Sequence, residues 1–173
     1  MKTITLGGGC FWCVEACFKM LKGVKNVKSG YSGGQLVNPD YKTVCTGTTG
    51  HAEVVQVSYS ENELATRKLL EGFMYMHDPT QLNRQGNDIG TQYRSVIFYH
   101  DEEQKQAAED VIQQLNKTVY NGKIVTQVQK FEKFYPAEAY HDDYYALNPQ
   151  NPYCSNVVGK KVAHFKEFLK SLQ

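Results

Sequence analysis

Three consecutive glycines, Gly7 to Gly9, deliver Cys10 to what reads as a helix N-terminus, followed by Phe11, the chain's only tryptophan Trp12, and Cys13. The first N–H groups of a helix lack intrahelical partners and carry partial positive charge. A sulfur placed there is therefore expected to ionise more readily than a free thiol, which titrates near pH ~8.5. Glycines without a Cβ let a substrate approach closely. Cys10 and Cys13 stand three apart, so both sulfurs can share one face of the helix start and come within bridging distance. A redox role is sterically open, beside the plainer possibility of inert cysteines buried in a glycine-rich turn.

A proton donor is the second requirement for chemistry on an oxygen-bearing substrate. Alternation along Ala52 to Tyr59 puts Glu53 on the same side as Val55, Val57 and Tyr59, the more apolar side. Desolvation there would raise its pKa and let it hold a proton near neutrality as a general acid. An edge glutamate reaching water is the alternative. Tyr41, in a long loop, and Tyr93, at the start of a strand, offer phenolic hydroxyls to an oxygen without changing charge. With twelve tyrosines in the chain, either can equally be a packing residue. Asp88 stands among Gly86, Asn87 and Gly90 and also suits an ordinary turn.

The elements that must position these groups are legible from periodicity. Thr3 to Leu6 reads as a strand, then a helix carries Phe11, Val14, Phe18 and Leu21 until Gly23. Strands are predicted over Val24 to Tyr31 and Ala52 to Tyr59, separated by a long loop with Gly33, Gly34, Pro39 and Gly47. Ser60 with Glu63 suggests a capping box opening a helix with Leu69, Leu70, Phe73 and Met74 inward, until Pro79. After a second long loop, Gln81 to Gln92, Tyr93 to Tyr99 is predicted as a strand. Asp101 with Gln104 opens a helix burying Ala108, Val111, Ile112, Leu115 and Val119, and Ile124 to Phe131 is extended. The order predicts an α+β chain with a ferredoxin-like, split βαββαβ two-layer sandwich. Beyond it come an aromatic, partly irregular segment with Tyr140, Tyr144 and Tyr145, a turn over Pro149 to Pro152, and a terminal helix with Val162, Phe165, Leu169 and Leu172 inward.

The 173 residues, 41% of them hydrophobic, suit one catalytic domain spanning 1–173. A net charge of +1 gives no footprint for nucleic acid or an anionic membrane. There is no charged leader before an apolar run and no stretch of about 18 apolar residues, so a cytoplasmic location without a membrane span is expected. Five cysteines at ordinary density argue against a secreted disulfide framework.

Ordered along the chain are Gly9-Cys10-Phe11-Trp12, Gly30-Tyr31-Ser32-Gly33-Gly34, Asn38-Pro39-Asp40-Tyr41, Thr49-Gly50-His51-Ala52-Glu53, His77-Asp78-Pro79, Arg84-Gln85-Gly86-Asn87-Asp88 and Gly90-Thr91-Gln92-Tyr93-Arg94-Ser95. Further on come Phe134-Tyr135-Pro136-Ala137-Glu138, Tyr140-His141 and Asn151-Pro152-Tyr153-Cys154. As a set they resemble the A-type peptide methionine sulfoxide reductases over nearly the whole chain. The resemblance implies that Cys10 is the nucleophile, Glu53 the proton donor, and Tyr41 and Tyr93 the holders of the sulfoxide oxygen. It further implies that Phe11 and Trp12 receive the substrate's methyl group and that Asp88 lies beside the substrate backbone. Glu138 and His141 would line the same basin.

The implied substrate is methionine S-sulfoxide, free or in oxidised proteins. Cys10 attacks sulfur, methionine leaves, and the sulfenic acid left on Cys10 condenses with a resolving thiol to a disulfide that thioredoxin reopens. No metal or organic cofactor is implied, and a monomer is expected. The chain departs from many relatives in having Cys13 after the tryptophan, a second candidate resolver beside Cys154. Cys154 is expected to act first, from a Pro/Asn-rich loop able to swing toward Cys10, with Cys13 as relay or alternative. Cys17 is expected in the core and Cys45 near the Tyr41 loop, with His51 and His77 in structural hydrogen bonds. Two rivals remain at this point: a general thiol-disulfide oxidoreductase using Cys10-x-x-Cys13, and a zinc module built from the cysteines and histidines.

Overall fold

The apolar alternation of the N-terminal half closes a sheet before anything else is added. In the computed structural model, which describes residues 1–172, strand β1 (Lys2–Gly7) pairs antiparallel with β3 (Ala52–Tyr59) in the register Ile4↔Val57 and Leu6↔Val55. Strand β2 (Val24–Ser32) lies antiparallel on the other side of β3, with Tyr31 opposite Glu53. Strand β6 (Val96–Tyr99) pairs antiparallel with β1. Two later strands extend this group: β7 (Gln127–Lys130) runs parallel to β6, and β8 (Phe134–Pro136) runs antiparallel to β2. The result is a six-stranded sheet of order β7-β6-β1-β3-β2-β8 in a mixed α+β chain.

One face of that sheet carries Ile4, Leu6, Val55 and Val57. It is covered by α1 (Phe11–Phe18), α3 (Thr66–Met76), α4 (Glu102–Leu115) and α6 (Gly159–Ser171) through Phe11, Phe18, Phe73, Val111 and Phe165, all buried. Each such side chain contributes roughly 1.5–3 kcal/mol by leaving water. The opposite face is thinner, with Ala52, Val54, Val96 and Phe98 under Phe131 and Phe134. At Gly30 any Cβ would lie 2.4 Å from the Phe134 ring, so β8 closes on β2 only because that position has no side chain.

Several expectations require correction. Ser60 and Glu63 do not cap a helix: Glu63 and Leu64 N–H donate to the Ser60 carbonyl in a tight turn, and Glu63 pairs with Lys25. The helix starts later, at Thr66, while its predicted buried stripe stands. The second long loop contains a small hairpin, β4 (Arg84–Gln85) with β5 (Asp88–Ile89), and Tyr93 ends a 3₁₀ turn instead of starting a strand. Val119 is exposed because a wide π turn over Asn116–Tyr120 rotates it off the α4 stripe. Leu172 is likewise exposed. The expected turn ending at Pro152 is a helix start: Asn151 Oδ1 accepts from Tyr153 and Cys154 N–H, and a π turn over Cys154–Val158 leads into α6. No helix among the described residues is long and apolar enough to cross a membrane.

Candidate active site

Strand β1 runs into the glycines, and Gly9 turns the chain at φ +95°, where a Cβ would sit 2.9 Å from the Gln85 side chain. Cys10 follows in extended conformation as the N-cap of α1, and its carbonyl accepts from Cys13 N–H (3.1 Å). Cys10 is 6% exposed and Cys13 fully buried. The two thiols act on each other, and this reverses the expectation for Cys10. Burial, the Cys13 partner and the nearby Glu53 push its thiol up, and the Trp12 N–H opposes them. Cys13 moves the other way: the hydrogen bond from Cys10 lowers it, with further help from the Lys161 ammonium and the Tyr153 hydroxyl. Of the two, Cys13 is the easier to deprotonate.

The first free N–H of α1 is not aimed at sulfur. Phe11 N–H donates to Glu53 Oε1 (3.1 Å), tying β3 to the head of the helix. Glu53 is 1% exposed, its Oε2 has no partner, and burial pushes its carboxyl up to about 8, aided by the charges of Asp88 and Cys13. It is therefore largely protonated at neutral pH.

Glu138, just past β8, connects two further pieces. Its Oε1 accepts from the Tyr31 hydroxyl (2.8 Å) and its Oε2 from the Tyr41 N–H (2.9 Å). Against a burial penalty these bonds hold its carboxyl below the usual range. Tyr41 opens α2 (Tyr41–Val44), which Asp40 and Thr43 cap reciprocally. Its ring lies 4.5 Å from the His141 ring and 6.2 Å from Phe11. Burial, then the Glu53 charge, pushes both the Tyr41 and the Tyr93 hydroxyls up, so both stay protonated donors. Cys45, exposed, interacts with both hydroxyls.

His141 is fully buried, and its Nδ1 accepts from Trp12 Nε1–H (2.9 Å), which leaves the proton on Nε2 when the ring is neutral. Burial lowers its pKa, and Nε2 has no partner. Trp12 stacks on Tyr144 of α5 (Tyr144–Leu147) at 3.8 Å and 6°, and meets Tyr153 edge-on at 5.8 Å. The Tyr153 hydroxyl donates to Asp88 Oδ2. The C-terminal segment thus roofs the aromatic wall and reaches the β4–β5 hairpin.

Cys154 is buried at the start of the π turn, not in a loop, and burial, then the Cys13 charge, pushes its thiol up. Cys17 is buried as expected. His51 accepts from Gly34 N–H and contacts the Leu36 carbonyl, while His77 bridges the Phe73 carbonyl and the Ser95 hydroxyl, both structural roles. Among the described residues, no group of three or more His, Cys, Asp or Glu side chains is arranged to hold a metal ion. Sequence reasoning gave no part to Tyr31, Tyr144, Tyr153 or Lys161. The signals available were the inward phase of Tyr31 on β2 and the position of Tyr153 beside Cys154.

With that geometry in hand, comparison with known proteins gives a consistent result. The chain is 54% identical over 170 residues to the peptide methionine sulfoxide reductase MsrA of Saccharolobus solfataricus, covering 98% of this chain and 94% of that one. It is also 54% identical to the MsrA of Nautilia profundicola, covering 95% and 94%. Among solved structures it is similar to Mxr1 from Saccharomyces cerevisiae in reduced form, with a TM-score of 0.83, 37% identity and 88% of each chain covered. Mxr1 in complex with Trx2 superposes with a TM-score of 0.59 at 26% identity, covering 83% of this chain and 84% of that one. The model of the peptide methionine sulfoxide reductase family matches residues 2–172, and the chain belongs to that family.

Proposed function

We propose that this single catalytic domain reduces methionine S-sulfoxide, free or in oxidised proteins, with Cys10 as nucleophile and Glu53 as general acid. A proton passes between the two sulfurs, so that Cys10 attacks as thiolate while Cys13 holds the proton. Cys10 Sγ attacks the sulfoxide sulfur, and the proton of Glu53 moves to the oxygen, which the Tyr41 and Tyr93 hydroxyls hold. Methionine leaves, the oxygen stays on Cys10 as sulfenic acid, and Phe11 and Trp12 receive the methyl group. Because Cys154 is buried in a π turn and not on a free loop, the order expected from sequence is reversed: Cys13, three residues from Cys10 at the head of α1, attacks that sulfur first and water departs. Cys154 next attacks the Cys13 sulfur, which frees Cys10 and leaves a Cys13–Cys154 disulfide. Thioredoxin reduces that disulfide, a step supported by the yeast relative's complex with Trx2. The chemistry needs only these thiols and the external dithiol. The antiparallel order β6-β1-β3-β2, with α1 and α3 as crossovers, supports reading the inner sheet as a ferredoxin-like split βαββαβ unit.

The observation that carries this reading is Glu53: a buried carboxyl anchored by the N–H next to Cys10, with its second oxygen unpartnered and its proton retained near neutrality. Thiol–disulfide exchange can also use a buried carboxyl, but it has no oxygen to bind, whereas here the Tyr41 and Tyr93 hydroxyls, both kept protonated, stand within reach of the Glu53 charge. Separated sulfoxide epimers and a dithiol reductant test it: wild type is expected to reduce the S epimer, and Cys10→Ser neither. Activity surviving Cys10→Ser, or a preference for the R epimer, overturns it. Disulfide mapping after one equivalent of sulfoxide is expected to find Cys10–Cys13 bridging in Cys154→Ser. Its absence removes Cys13 as the first resolver.

A further inference from the structure

A groove of about 840 Å³ opens beside the dithiol, between the end of α3, the β4–β5 hairpin, the turn after α4 and the first turns of α6. Three lysines line it: Lys123 from the turn, and Lys160 and Lys161 from α6. Every ion pair among the described residues uses other cations, so none of these three has a carboxylate within 4 Å. The two carboxylates on the same wall are already engaged. Asp78 Oδ1 accepts from both the N–H (3.0 Å) and the hydroxyl (2.6 Å) of Thr80, and Asp88 accepts from Tyr153. The wall thus sets three ammonium groups against two carboxylates, and Lys123 and Lys160 in particular have no ionic partner, in a chain whose net charge is only +1.

The groove is continuous with the site. Asp88 and Tyr153 belong to its wall, and the Tyr153 ring is the one that meets Trp12 edge-on. The Lys161 ammonium lies 3.6 Å from where a Cβ on Gly9 would be, next to Cys10. An extended polypeptide advances about 3.3–3.6 Å per residue, so residues one to three away from a methionine sulfoxide held at Trp12 run along this wall. The three ammonium groups come from two separate elements and line an open trough. That suits a side chain on a passing chain more than a small anion needing convergent donors.

We infer that the groove receives an acidic side chain of the oxidised polypeptide, within three residues of its methionine sulfoxide, and that Lys123, Lys160 and Lys161 select it. The inference rests on Cys10 reducing sulfoxides, and free methionine sulfoxide, which has no neighbouring residues, separates the two claims.

The test is kcat/KM on short peptides containing one methionine S-sulfoxide, with Glu, Gln or Lys placed in turn at each position from three before to three after it. At low ionic strength, Glu at the favoured position is expected to exceed Gln about fivefold, the size suited to one exposed carboxylate meeting two or three ammonium groups, with Lys lowest. The preference should shrink as salt shortens the screening length. It should fall to about twofold or less in Lys123→Gln/Lys160→Gln, where Lys161 alone remains, while the rate on free methionine sulfoxide stays at the wild-type value. Equal kcat/KM for Glu and Lys peptides at every position, or a Glu preference undiminished in the double variant, overturns the groove and leaves the sulfoxide reading intact. Failure of wild type on free and peptide substrates alike overturns the reading beneath it.

Discussion

The head of α1 and the segment that roofs it reach the same few ångströms of space by different physics. Around Cys10 the backbone does the work: β1 and β3 fix each other through a regular ladder, and Glu53 sits in the inward phase of that ladder. Its carboxyl is locked by a backbone N–H of the helix it faces. From Glu138 to Cys154 there is little regular structure, only a 3₁₀ turn at Ala139–His141, a four-residue helix entered through Asp143 in left-handed conformation, and a π turn. This half is held by side chains: the two bonds of Glu138, the Trp12–His141 bond, the Trp12–Tyr144 stack and the Tyr153–Asp88 contact. A ladder fixes position before the side chain is chosen, whereas individual side-chain contacts must each be present. Changes at the head of α1 should therefore cost chemistry with little loss of fold, and changes in the roof should cost positioning.

The largest expected effect is at Glu53. Glu53→Gln keeps the acceptor for Phe11 N–H but has no proton to give, and kcat/KM is expected to fall about 10²–10³-fold. In wild type the donor is the protonated form, so activity should decline as pH rises through about 8, where the carboxyl loses its proton. In Glu53→Gln that alkaline limb should disappear from the pH–rate profile measured in single turnovers. An unchanged limb assigns the proton to another group, and a large drop in Tm would show that the ladder is less self-sufficient than its regularity suggests.

The same contrast governs what can be read without coordinates. Glu53, the core stripe of α3 and the Asp101 cap of α4 follow from period and cap chemistry within a few residues, and the structure has them there. The Ser60–Glu63 pattern failed because a capping box also requires the residues after it to go helical; here Lys25, distant in sequence, takes the glutamate. Asn151-Pro152 was a helix start hidden among turn-forming neighbours, and only the Asn151 hydrogen bonds distinguish the two. The helix-terminus argument for a low Cys10 pKa was sound for an exposed thiol. Burial and Cys13 outweigh it, and neither burial nor the sulfur–sulfur contact follows from spacing alone. Tyr31 and Tyr153 joined the site through partners more than 60 residues away, Glu138 and Asp88, which no local pattern encodes.

A smaller loss is expected in the roof. Glu138→Gln has one acceptor oxygen and one amide donor, so it cannot accept from both Tyr31 and Tyr41 as the carboxylate does. Losing one bond to a charged acceptor, at roughly 1.5–3 kcal/mol, loosens the entry to α2. Activity is expected to fall about tenfold, and the loss should be smaller in a Tyr41→Phe background, where the hydroxyl being positioned is already gone. Fully additive losses would mean that Glu138 does not act through Tyr41.

The smallest effect lies at the seam. Glu15 is buried between α1 and the segment of Asp142 and Asp143, is 2% exposed, and has an Oε2 with no hydrogen-bond partner. Burial pushes its carboxyl up to about 7; Lys19 opposes this, while Asp143 and Asp142 add to it through their charges. Because the folded chain binds this proton more tightly than the unfolded one, the folded state is favoured at low pH. That advantage is lost between the unfolded value, about 4.3, and the folded value near 7. Lys19 also pairs with Asp143 and Lys28 holds Asp142, so the seam carries three acidic groups against two ammonium groups, of which only Lys19 reaches Glu15. Glu15→Gln removes the ionisation and should raise stability at pH 8 by about 1–2 kcal/mol, with almost no gain at about pH 4, just below the unfolded value. Thermal melts of both proteins at the two pH values measure it. An equal gain at both would mean that Glu15 is not charged against the roof, and that the seam is held by the Trp12–Tyr144 stack and its neighbours alone.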